Sequence, residues 1–278
     1  MRVAVGKLVF DVDVAGPEGG EVVLLLHGFP HSRESWTDIA PLLHRAGLRT
    51  VAPDQRGYSP GARPEPVEAY ALPELAADAL GILDALGIGA AHVAGHDWGA
   101  VVGWYLAARF PQRVRSLTAA GFPHLDAFRN ALRVDAEQRE HSGYIATLSA
   151  EDAADSFLAD GAAGLEGWYR QTEGVLSEEQ IARYMRTHTR PGTLRAALKW
   201  YRAGTLQNDD GPLGPVTVPT THIWSVDDPA VGVFAAESTA DHMAGEYRFV
   251  RLPGVSHWQP QQVPETVADE ILRRVRGD

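Results

Sequence analysis

Residues 22–26, Val-Val-Leu-Leu-Leu, form a continuous apolar run between polar turns, and no other feature constrains the fold as strongly. A strand with one wet face alternates, so an unbroken run points to a strand buried on both faces of a parallel sheet. Residues 50–52, 91–94 and 114–120 read the same way. Between them lie segments with apolar residues at helical spacing, over 35–46 (stopped by Gly47), 75–86 and 100–110. Such alternation predicts a mostly parallel sheet with helices on both faces. Upstream, alternation over 3–14 and the turn residues 16–20 predict a hairpin or strand pair.

The alternation stops between residues 122 and 214, a stretch rich in helix formers and aromatics with no convincing strand. A strand at 220–224, a helix at 231–243, a strand at 247–252 and a helix at 263–276 then restore it. No polar linker separates the parts. The expected organisation is therefore one α/β core, residues 1–121 and 215–278, interrupted by a helical cap over 122–214.

Composition excludes several function classes. The 278 residues carry 36 acidic and 25 basic side chains, a formal charge of −11. Phosphate backbones and anionic membranes would be repelled unless a basic patch were segregated. The arginines of 109–115 and 273–276 read instead as helix ends and solvated faces. With no cysteine there is no disulfide, thiolate nucleophile or zinc–cysteine site. The first 16 residues alternate like a strand and lack an apolar signal-peptide core, so a cytoplasmic location is expected. Nothing approaches the roughly 18 apolar residues of a membrane span. Histidines are scattered without ligand spacing and no glycine-rich phosphate loop occurs, so neither metal nor organic cofactor is expected.

The chemistry centres on Gly95-His96-Asp97-Trp98-Gly99, a G-x-D-x-G segment between a strand and a helix. Glycines two positions either side of Asp97 permit a sharp turn that holds its side chain above the sheet. The helix N-terminus then favours an anionic carboxylate, which can displace at an electrophilic carbon to give an enzyme ester. The same five residues would suit an aspartate that merely caps the helix. Three further segments bear on the choice. His27-Gly28-Phe29-Pro30 follows the buried strand, and the N–H groups of Phe29 and Trp98 form a natural oxyanion pair. Asp228 follows the 220–224 strand and His257 follows the 247–252 strand. Nucleophile, acid and then histidine, each at a strand's C-terminal end, is the chain order of one class of hydrolase.

With these residues in view, the chain resembles the epoxide hydrolases of the α/β-hydrolase superfamily along nearly its whole length. The resemblance rests on HGFP at 27–30, DQRGYSP at 54–60, GHDWGA at 95–100, Asp228-Pro229 and GVSHW at 254–258. GHDWG is specific for aspartate-nucleophile members, whereas HGFP and the Asp-x-Arg-Gly segment are shared more widely. It implies an α/β-hydrolase fold and a two-step hydrolysis through an Asp97 ester, with His257 and Asp228 activating water. Asp228 is preferred to Asp227 because it aligns with the family's acid. His96 reads as a packing or water-orienting residue. Members of the family place two tyrosines in the insertion to donate to the epoxide oxygen. KWYRA at 199–203 implies Tyr201. GYIATL at 143–148 implies Tyr144, but Ser149 stands where glutamine is frequent, so Tyr169 and Tyr184 stay open as substitutes.

The implied partner is a small, apolar epoxide, with no nucleic acid or membrane partner; assembly as a homodimer is left open. Trp168, Trp200 and Trp258 would suit an aromatic substrate or the core equally. Haloalkane dehalogenation shares Asp97 and Trp98, with Trp168 as a candidate second halide donor because the Phe29 side chain has none. The arginines of fluoroacetate-type dehalogenases are replaced by Trp98, Ala100, Val101 and Val102. A catalytically silent ligand-binding hydrolase fold is the reading from another class.

Overall fold

The computed structural model describes residues 1–171, 174–206 and 211–278. Eight strands form one sheet: β1 Arg2–Val5, β2 Leu8–Ala15, β3 Val22–Leu26, β4 Arg49–Pro53, β5 Ala91–His96, β6 Val114–Ala120, β7 Thr220–Ser225 and β8 Tyr247–Leu252. Their order is β1-β2-β4-β3-β5-β6-β7-β8. The first two strands pair antiparallel, and β2 joins β4 antiparallel. Every later pairing is parallel, giving an α/β-hydrolase fold.

The unbroken apolar run of β3 is explained by its two covered faces. Leu24 and Leu26 enter the larger core, beneath helices Leu72–Ala85 and Trp98–Arg109. Val23 and Leu25 point the other way, against Leu43 and Ile271 of helices Ala40–Arg45 and Pro264–Arg276. Each such fully buried side chain contributes about 1.5–3 kcal/mol.

Three expectations are corrected. The helix predicted over 35–46 divides into a 3-10 turn at Arg33–Trp36 and a helix at Ala40–Arg45. Pro41 lacks the N–H that a helix interior needs, and it sits instead in the first turn of the second piece. The helix predicted over 231–243 is α-helical only at Val233–Ser238 and continues as a 3-10 turn. There Ser238 Oγ and Thr239 Oγ1 donate to the carbonyls of Phe234 and Ala235, competing with the backbone ladder. Arg274, expected on a solvated face, is buried and donates to Thr221 Oγ1 and Glu246.

Between β6 and β7 the described elements are helices, from Leu125–Val134 to Lys199–Arg202. Residues 172–173 and 207–210 of the expected 122–214 cap lie outside the described residues. Among the described residues, no helix is long and apolar enough to cross a membrane.

Candidate active site

Asp97 stands where β5 turns into helix Trp98–Arg109, at φ 52° and ψ −122°. That left-handed backbone costs a non-glycine residue about 1–3 kcal/mol and persists only where packing imposes it. Gly99 permits the turn, since a Cβ there would run into the Leu26 carbonyl at the end of β3. The side chain thereby projects above the sheet at the C-terminal ends of the central strands.

Three neighbours hold its carboxylate. The Phe29 N–H donates to Oδ1 at 2.8 Å. His257 Nε2 lies 3.5 Å from Oδ2. The Trp98 N–H, at the helix start, adds a third favourable dipole. Burial alone would push the Asp97 pKa up, but His257 with these donors outweighs it and holds the carboxyl below its ordinary range. Asp97 is therefore an anion at neutral pH.

His257 is oriented from behind. Its Nδ1 donates to Asp228 Oδ2 at 2.8 Å, and Asp228 Oδ1 accepts the N–H groups of Ala230 and Val231 at 2.8 and 3.3 Å. Asp228 is buried while Asp227 is exposed, with Oδ2 accepting from the Gly254 N–H. Burial would lower the His257 pKa. The Asp228 carboxylate, with Asp97, overrides it and pushes the value up to about 10.

Asp97 and His257 open onto a cavity of about 830 Å³ lined by Phe29, Trp168, Trp258 and both Tyr144 and Tyr201. The two tyrosine rings stand 6.4 Å apart, and Tyr201 packs edge-on against Trp98 at 5.2 Å. Burial, then the Asp97 charge, pushes both phenols well above their usual range, so each remains a hydrogen-bond donor at any working pH. The other two lid tyrosines have different occupations. Tyr169 donates to the Pro30 carbonyl at 2.5 Å, and Tyr184 accepts from Gln261. Of the three tryptophans that suit a substrate or the core equally, Trp200 belongs to the core: it is fully buried and donates to the Arg56 carbonyl at 2.8 Å.

The 54–60 motif braces this arrangement. Gln55 holds both Nε2 and the carbonyl of His27, while Arg56 clamps Asp78 through two 2.6 Å bonds. Sequence reasoning assigned none of these side chains a role, because their partners lie far away in the chain. It also missed His31, a fully buried neighbour of His96.

Among the described residues, two histidines that read as scattered meet beside an acid. His124, Asp126 and His242 bring ligand atoms within 4.8 Å of one another. The two rings are nearly parallel, at 7°, so no single ion can lie in both ring planes. His124 Nε2 already donates to the Gly214 carbonyl and Nδ1 accepts the Asp126 N–H. These residues therefore fit a structural cluster better than a metal site.

Comparison with known proteins gives consistent findings. The model of the alpha/beta hydrolase fold family matches residues 21–260. The chain is 32% identical to epoxide hydrolase A of Mycobacterium tuberculosis, covering 95% of this chain and 92% of that protein. It is 31% identical to the AB hydrolase superfamily protein YfhM of Bacillus subtilis, over 97% and 95% of the two chains. Among solved structures, an epoxide hydrolase from hot-environment metagenomes superposes with a TM-score of 0.89 at 28% identity, covering 100% of this chain and 98% of the other. An inhibitor complex of Bacillus megaterium epoxide hydrolase gives 0.90 at 25% identity, covering 99% and 100%.

Proposed function

The chain belongs to the alpha/beta hydrolase fold family and, within it, to the epoxide hydrolases, and on that footing we propose that it opens an epoxide to a vicinal diol by way of an ester on Asp97. The observation that carries this reading is the meeting of one anionic carboxylate and two protonated phenols in one largely apolar cavity.

In the first step a lone pair of Asp97 attacks a ring carbon and the carbon–oxygen bond breaks toward the epoxide oxygen. Tyr201 and Tyr144 donate to the alkoxide as it forms, a charge that preplaced donors in a dry site stabilise strongly. The described helices between β6 and β7, from Leu125–Val134 to Lys199–Arg202, serve as the cap that carries both tyrosines and closes the cavity over a small, apolar substrate.

Esterification removes the negative charge that had helped to protonate His257. Burial then acts against Asp228 alone, and the proton His257 gives up matches the one the alkoxide requires. Neutral His257, held by Asp228, next takes a proton from water and directs hydroxide at the ester carbonyl. The Phe29 and Trp98 N–H groups receive the oxyanion. The bond to the diol oxygen then breaks, that oxygen takes the proton of the added hydroxyl, and Asp97 is regenerated as a carboxylate beside a protonated His257. Phe29 also bears on the dehalogenase reading, since its side chain offers no halide donor.

Product analysis tests the assignment. The purified protein is incubated with aryl and alkyl epoxides and with bromoalkanes, alongside Asp97→Ala and Tyr201→Phe. Diol formation abolished in the first variant and strongly reduced in the second is the expected outcome. Halide release without diol, surviving Tyr201→Phe, would overturn it in favour of dehalogenation.

A further inference from the structure

Behind the turn that carries His257 lies a second buried polar group, which the mechanism above does not use. His31 follows the Phe29–Pro30 turn and is 0% exposed. Both of its ring nitrogens, and Nδ1 of His96, are buried with no hydrogen bond to any described protein group. The two rings stand 5.1 Å apart at 78°, and the His96 ring stands 5.0 Å from that of His257. Trp258 and Tyr184 also pack edge-on with His31, at 4.5 and 5.3 Å.

The tautomer of His96 follows from its one bond. Its Nε2 lies 2.8 Å from the His257 carbonyl oxygen, which only accepts, so Nε2 carries the proton and Nδ1 is left as an acceptor. Burial first, then the neighbouring histidines, depresses the His31 pKa well below its ordinary value and leaves the ring neutral, with one donor and one acceptor. Polar groups sequestered in this way are ordinarily satisfied by protein or by ordered water. The Oε1 atoms of Gln259 and Gln261 are also buried without a described partner; Gln259 Oε1 and His96 Nε2 both border Gly121, and Gln261 is bonded to Tyr184, which packs on His31.

We propose that a water molecule bridges His31 and His96, accepting from the one and donating to Nδ1 of the other, and that His31 is thereby a positioning residue for ester hydrolysis. The water fixes the His96 ring, and the Nε2–H of His96 fixes the backbone of His257, whose own ring must face both Asp228 and the ester. This rests on the ester mechanism proposed above. Ring opening asks of His257 a positive charge beside Asp97 and a proton, neither of which needs its ring aimed at a water. Hydrolysis needs Nε2 aimed at the attacking water, so loss of His31 should fall mainly on the second step.

The test compares His31→Leu, which removes both polar atoms, with His31→Gln, which keeps a donor and an acceptor. Steady-state kcat and KM on styrene oxide are measured together with the fraction of acid-quenched protein carrying the ester mass. We expect His31→Leu to lower kcat and KM together by about tenfold or more, with kcat/KM unchanged and ester accumulating. His31→Gln should recover most of the rate. If the leucine variant does not fold, His31→Met provides the same comparison. Wild-type kcat in the apolar variant, or a fall in kcat/KM without accumulated ester, would reduce His31 to packing. Absence of ester even in a His257→Gln variant would instead bring down the ester reading itself.

Discussion

The Phe29 N–H and the Asp97 carboxylate, 68 residues apart in the chain, are joined by a 2.8 Å hydrogen bond across the ends of the adjacent parallel strands β3 and β5. A donor that steadies the resting anion is also where the ester's oxyanion would develop. Gly28 makes the approach feasible, because a Cβ there would overlap the Asp97 carboxyl group. Gly28→Ala is expected to lower kcat/KM by about 10²-fold or more, through displacement of the Phe29 N–H. Steady-state kinetics beside a near-ultraviolet dichroism spectrum separates that loss from general unfolding.

The two phenols make a second prediction. Tyr201→Phe and Tyr144→Phe each remove one donor and are expected to cost about 10²-fold in kcat/KM for epoxides. Because both serve one oxygen, the double variant should lose less than the product of the single losses. Strictly multiplicative losses would mean that the tyrosines act independently.

Asp228 governs the charge of His257, which gives a pH dependence. Relative to about 6.5 in the unfolded chain, the His257 pKa is raised to about 10. A raised histidine stabilises the fold fully below the unfolded value and loses that contribution as pH rises through the folded one. Denaturant-measured stability should therefore decline between about pH 6.5 and 10. Asp228→Asn should flatten that decline while lowering turnover by about 10³–10⁴-fold.

The opposite sign applies to the buried neutral histidines. Burial, the largest influence on each, holds His27, His96, His124 and His188 down to about 4. His222 lies lower still. A depressed histidine stabilises the fold above its unfolded value, and that stability drains away as pH falls below about 6.5. Acid unfolding near pH 5 should be steep and take up several protons, as potentiometric titration across the transition would record. An acid transition without proton uptake would contradict the assignment of these rings as neutral.

Much of this was legible in the chain. Apolar runs with no alternation marked the double-faced strands, and glycines at 95 and 99 marked the turn at Asp97. Asp97, Asp228 and His257, picked out by chain order, meet past the C-terminal ends of β5, β7 and β8, with His257 in contact with both acids. What resisted reading was side-chain direction within helices. Trp168 and Trp200 look alike in sequence, yet one lines the cavity and the other is locked to the Arg56 carbonyl. The distinction between Asp227 and Asp228 likewise depends on which carboxylate the turn after β7 buries. Pro41 and the hydroxyls of Ser238 and Thr239 broke two helices because local backbone bonding outweighed apolar periodicity.

The central claim is that Asp97, and not water, attacks the epoxide. A single turnover with enzyme in excess over styrene oxide in H2(18)O distinguishes the two. The ester route predicts a first-turnover diol without solvent label, with the heavy oxygen retained in the peptide containing Asp97. Solvent label in the diol from the first turnover, with Asp97 unlabelled, would contradict the account.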